Sequence, residues 1–97
     1  MNKSAQFTPG PWVVTEHSAG MICVAGPNNK DLCAVGYNRT EGRNDVANAN
    51  LIAAAPAMYE ALKRIKVLME SGDIEGRDWV EYGHIINALA QAEGRQA

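Results

Sequence analysis

From Ala47 to Met69 the chain reads ANANLIAAAPAMYEALKRIKVLM, an alanine-rich, helix-forming run interrupted once by Pro56. This stretch constrains the fold most. Leu51, Ala54, Ala55, Met58, Leu62, Ile65, Leu68 and Met69 recur at spacings of three and four, which draws an apolar stripe along a helix. Glu60, Lys63, Lys66 and Glu70 fall on the other side. Proline removes a backbone donor and clashes with the carbonyl four residues back, so Pro56 marks a kink or the first turn of a second helix. The helix is expected from about Asp45, with Asn44 as its cap, to about Ser71, where Gly72 stops it. The many alanines thin its surface, so another element can approach closely. That element is either the chain's own sheet or a second subunit.

Short β-like runs precede the helix. TPGPW, Thr8 to Trp12, delivers Trp12 into a first strand with Val13 and Val14, which His17 and Ser18 end. Trp12 is expected to pack in the core at a sheet edge. Met21 to Ala25 has no polar side and reads as a strand covered on both faces, or covered on one and contacted by a partner on the other. Gly26 to Lys30 forms a turn, and Asp31 to Tyr37 a third strand at an edge. After Gly72, a charged loop with one glycine, Asp73 to Asp78, leads into a last helix. Trp79, Tyr82, Ile86 and Leu89 keep helical spacing there, so it should lie antiparallel to the long one. The fold class is therefore α+β, a three-stranded antiparallel β-meander packed by a long kinked helix and a C-terminal helix. A chain of 97 residues is read as a single domain over 1–97, with 1–7 and 94–97 expected to be disordered.

A hairpin with Gly26 to Lys30 as its loop sets Ala25 against Asp31 and Cys23 directly opposite Cys33. Cross-strand β-carbons lie about 4.5–5.5 Å apart, so a disulfide is geometrically conceivable. In a reducing cytoplasm the two are expected to be small hydrophobes on one sheet face.

Nine basic side chains against eleven acidic ones leave a net charge of −2, too little for nucleic-acid binding or for a strongly acidic DNA mimic. No apolar run reaches membrane-spanning length, and MNKSAQFTPGPW lacks the apolar core of a signal peptide, which predicts a cytoplasmic protein. No catalytic constellation stands out. His17 and His84 lie in unrelated segments, and Glu81 with His84 makes only two ligands of a metal site. Cys23 and Cys33 lack any CxxC companion, and Asp73, Glu75 and Asp78 miss the EF-hand spacing. No enzyme activity, cofactor or metal is therefore expected.

The best candidate for a ligand site is the loop NRTEGRN. Arg39 and Arg43 bring two guanidinium groups to a helix N-terminus, while Asn38, Thr40 and Asn44 add neutral hydrogen bonding. Such a set suits a phosphate or a carboxylate, although Glu41 and Asp45 partly cancel the arginines. Lys63, Arg64 and Lys66 form a second positive patch, on the long helix, as a partner surface.

TPGPW at Thr8 to Trp12, ANANLIAAAPAMYEAL at Ala47 to Leu62 and ALAQAEG at Ala88 to Gly94 together resemble a family of small proteins common in tailed bacteriophages and prophages. The resemblance covers most of the chain. It implies a phage or prophage origin, a cytoplasmic setting in an infected bacterium, and no known enzyme activity or catalytic residues. Small phage accessory proteins of this kind often bind and disable host defence components, including CRISPR effectors and nucleotide-signalling systems. Two functions are expected on that basis. One is a non-enzymatic inhibitor that docks on a host defence protein. The other is an oligomeric sponge for a small anionic ligand such as a nucleotide signal. A homo-oligomer, dimeric or higher, is expected in either case, because a chain this short gains from self-association.

Overall fold

A computed structural model describes residues 7–37, 44–72 and 79–95. Strands β1 (Val13–Glu16), β2 (Met21–Ala25) and β3 (Asp31–Tyr37) are followed by helices α1 (Asp45–Ala53), α2 (Ala55–Ser71) and α3 (Trp79–Ala92). The residues group into two compact units, one spanning Thr8–Ala57, the other comprising Phe7 and the residues from Met58 onward.

In the first unit the strands form a three-stranded antiparallel meander with β2 in the middle, so the class is α+β as expected. The turns follow from the residues in them. Asn28 and Asn29 adopt positive φ of 68° and 62°, the left-handed region that asparagine tolerates, and the Gly26 amide donates to the Lys30 carbonyl at 2.9 Å. Ile22, Cys23, Val24 and Ala25 are all buried, as a central strand without a polar side requires. Ile22 and Val24 meet Ala49 of α1 in the core, where Trp12, Val14, Val35, Ile52 and Ala53 close around them. Full burial of a side chain the size of valine or isoleucine is worth about 1.5–3 kcal/mol. Ala49 has no exposed surface. The thin alanine face of α1 therefore serves close approach to the chain's own sheet.

Trp12 packs as expected, and its indole Nε1 donates to the Thr8 carbonyl at 3.0 Å. The segment before it runs against the start of α2. A β-carbon on Gly10 would lie 3.2 Å from Cβ of Pro56, so glycine is the residue that fits this approach.

Pro56 starts a second helix. Without an N–H it cannot continue the ladder of α1. The Ala54 amide shares the carbonyls of Asn50 (3.1 Å) and Leu51 (3.2 Å), and Ala54, still right-handed at φ −80° and ψ −8°, is the residue between the two helices. Pro56 then sits in the first turn of α2, where a missing donor costs nothing. At the start of α1, Asn44 makes no side-chain capping bond. Its carbonyl instead accepts from the Asn48 amide at 2.8 Å, and Asp45 supplies the acid in the first turn.

The cysteine pairing is corrected. Ala25 does face Asp31, but the register shifts twice between β2 and β3, so that Leu32 and Val35 are extra residues on β3. Cys23 consequently faces Ala34, and Cys33 faces Val24. Both thiols are free, Cys23 buried and Cys33 exposed.

In the second unit α2 and α3 are antiparallel neighbours. The Tyr59 hydroxyl donates to the Glu93 carboxylate at 2.5 Å, and the Tyr82 hydroxyl donates to Glu70. Tyr59 and Glu70 are eleven residues apart on α2, as are Tyr82 and Glu93 in the α3 region, so each helix presents both groups on one face about three turns apart. Tyr59, Met69, Leu89 and Ala90 are buried in this unit, and the Phe7 ring stands edge-on to Tyr59 at 5.1 Å. Gly72 ends α2 with φ +83°. Gly94 ends α3 with φ +78°: its amide donates to Gln91 (3.1 Å) and that of Arg95 to Ala90 (2.8 Å), the paired bonds of a Schellman stop.

The long apolar stripe is also redistributed. Ala49, Ile52 and Ala53 cover the sheet, and Tyr59 and Met69 are buried in the second unit. Leu51, Met58, Ile65 and Leu68, all members of the expected stripe, are exposed, because sequence spacing defines which residues share a face and not which face finds a partner. Among the described residues no helix is long and apolar enough to cross a membrane.

Candidate functional site

Of the residues expected to bind an anion, Asn38, Arg39, Thr40 and Arg43 lie outside the described residues, as do Glu41 and the acidic Asp73 to Asp78 loop. Asn44 is exposed immediately before α1, and Asp45 behind it is buried. Glu81 and His84 are both exposed on α3.

The surface that stands out is on α2. Met58 (43% exposed), Ile65 (38%) and Leu68 (39%) follow one another at helical spacing, with Ala61 between them. Large apolar side chains exposed as a continuous row, rather than singly, mark a contact surface. Arg64 borders the row, and among the described residues it has no ion pair. The neighbouring cations are engaged within the unit: Lys66 pairs with Glu70 at 3.1 Å, and the Lys63 ammonium lies 5.2 Å from the centre of the Tyr59 ring.

On the other side of α2, Lys63, Lys66, Val67, Ile86, Leu89, Glu93 and Arg95 line a groove of about 580 Å³ against α3. Glu93 anchors it. Besides the Tyr59 hydroxyl, its carboxylate accepts from Arg95, whose Nε lies 2.8 Å away. The hydrogen bond from Tyr59, then that from Arg95, hold the Glu93 carboxyl below its usual range, against the opposing effect of burial.

The meander brings together a third set of residues that reading along the chain kept apart. His17 follows β1, Cys23 is central on β2 and Asp31 begins β3. His17 Nε2 lies 3.1 Å from Asp31 Oδ2, and the imidazole, thiol and carboxylate atoms are all within 4.8 Å of one another. The His17 and Asp31 side chains, each 44% exposed, meet on Cys23, which is 1% exposed. Burial pushes the Cys23 thiol up, and the charges of Asp31 and Cys33 add to the effect. No motif announces this trio, since its members come from separate strands and only the antiparallel pairing unites them.

A family model described as Salmonella phage P22 protein Y8K6 matches residues 1–96. No curated protein and no solved structure matches the chain.

Proposed function

Because the chain belongs to the family of the Salmonella phage P22 protein Y8K6, we propose that it is a non-enzymatic phage protein that docks on a host protein of a bacterial defence system and inhibits it. The observation that carries this reading is the exposed apolar row Met58, Ala61, Ile65 and Leu68 on α2, bordered by Arg64, which has no ion pair among the described residues. Its occupant is a host protein that offers an apolar groove with an acidic rim. A helix face of this kind binds by laying residues at spacings of three and four into such a groove. The charge beside it serves orientation and encounter rate.

The test is made in bacteria that each carry one defined defence system. Expression of the protein should restore phage plating against one of them, and its purified component should co-elute with the protein. Ile65→Glu and Leu68→Glu should abolish both effects while leaving the melting temperature unchanged within about 2 °C, because exposed positions cost little on substitution. Relief that survives both substitutions would sink the reading. So would a wild type that sediments as a dimer and becomes monomeric in Ile65→Glu, since a second copy would then own the face.

A second reading is favoured by the groove between α2 and α3, where Lys63, Lys66 and Arg95 stand over apolar Val67, Ile86 and Leu89. Such a lining suits a small anionic ligand with an apolar ring, a nucleotide signal for instance. A panel of cyclic nucleotides that raises the melting temperature of the wild type, and not of Lys66→Ala, would move the function there.

A further inference from the structure

We propose that His17, Cys23 and Asp31 form a binding site for a single zinc ion on the sheet. The donor set is an imidazole nitrogen, a thiol sulfur and a carboxylate oxygen, one residue associated with each strand of the meander. The soft thiolate and the borderline imidazole suit zinc rather than magnesium or calcium, which take oxygen alone, and zinc accepts the carboxylate as well.

The geometry is close to what the ion needs. With bond lengths of about 2.0–2.3 Å, the ligand atoms of a tetrahedral zinc site stand about 3.3–3.8 Å apart. The His17 to Asp31 separation is already 3.1 Å, and no pair among the three ligand atoms exceeds 4.8 Å. Side-chain rotation at the two exposed members closes the difference without moving the sheet. Their backbones are fixed from both sides: the His17 amide donates to the Met21 carbonyl at 2.9 Å, and Asp31 is paired with Ala25. Cys23 supplies the inner ligand, on the buried central strand.

A second observation comes from Thr15, which faces Cys23 across the ladder and so stands on the same side of the sheet. Its hydroxyl oxygen is buried and has no hydrogen-bond partner among the described residues. Three protein ligands leave the ion a fourth position for water. A water there offers the Thr15 hydroxyl the bond it otherwise lacks.

The test titrates the full-length protein with Co²⁺, the spectroscopic substitute for zinc, in reducing buffer. One equivalent should produce a thiolate-to-cobalt absorption in the near ultraviolet, and Zn²⁺ should then displace it. Zn²⁺ in hundredfold excess over its dissociation constant should raise the melting temperature by about 5 °C or more, whereas Mg²⁺ should not. Cys33→Ser should keep the absorption and Cys23→Ser should lose it. His17→Ala and Asp31→Asn alter exposed side chains and keep the fold, so they test the site even if Cys23→Ser unfolds. Each should weaken binding at least about tenfold. The proposal is overturned by a protein that shows no absorption, by one that loses it in Cys33→Ser, or by unchanged affinity in both His17→Ala and Asp31→Asn.

Discussion

The Tyr59 hydroxyl on α2 and the Glu93 carboxylate at the end of α3 form a 2.5 Å hydrogen bond in which the acceptor is almost wholly enclosed, its side chain only 9% exposed. Removal of the donor should be costly. Tyr59→Phe keeps the ring, and with it the edge-on contact to Phe7, but leaves a charged acceptor short of one partner. A loss of about 1.5–3 kcal/mol is expected, read from urea unfolding as a lower midpoint with unchanged slope. A change below about 0.5 kcal/mol would show that solvent already satisfies the carboxylate.

The same bond makes stability depend on acidity. Glu93 is held below its usual range in the folded chain, chiefly by Tyr59 and then by Arg95. A carboxyl depressed by folding contributes stability above its unfolded pKa, and that contribution is lost as pH falls through the folded value. The gap in unfolding free energy between wild type and Tyr59→Phe should therefore be widest near neutral pH and narrow steadily on acidification below the ordinary carboxylate range. A gap that stays constant into strong acid would show that the hydroxyl acts through packing alone.

Ala49 sets how closely α1 approaches the sheet, since it is completely buried against Ile22 and Val24. Ala49→Leu should force the helix away and cost about 1–3 kcal/mol, measured by thermal or urea unfolding. Ala47→Leu, at an exposed position on the same helix, should cost less than about 0.5 kcal/mol. Equal effects at the two positions would refute the helix orientation.

These residues also show what the sequence could reveal. The bounds of β2 and β3 were legible because Gly26 to Lys30 holds strong turn formers, and the end of α2 because Gly72 tolerates a positive φ. The order of strands and the antiparallel helices followed from the short loops. The bulges at Leu32 and Val35 left no local mark, so the opposition of Cys23 and Cys33 was misplaced. On α2 the difficulty was different. Lys63 and Lys66, read as the outer face, are half-buried beside α3, because long aliphatic stems can cover a neighbour while the ammonium stays wet. Met58, Ile65 and Leu68 form a second stripe on the same cylinder, and hydrophobic spacing alone cannot rank two such stripes. The His17, Cys23 and Asp31 trio was invisible for a third reason. Its members are separated by turns, and proximity arises only when β1 and β3 both pair with β2.

The approach of Gly10 to Pro56 bears on how relatives of this chain are to be compared. TPGPW and the AAAP segment stand far apart in the sequence, yet here they are the two halves of one joint. A methyl group added at the glycine must be absorbed at the proline. The two segments should therefore change together or not at all. On the docking role proposed above, what distinguishes one relative's target from another's should be sought in the outward row of α2, where substitution leaves the joint intact.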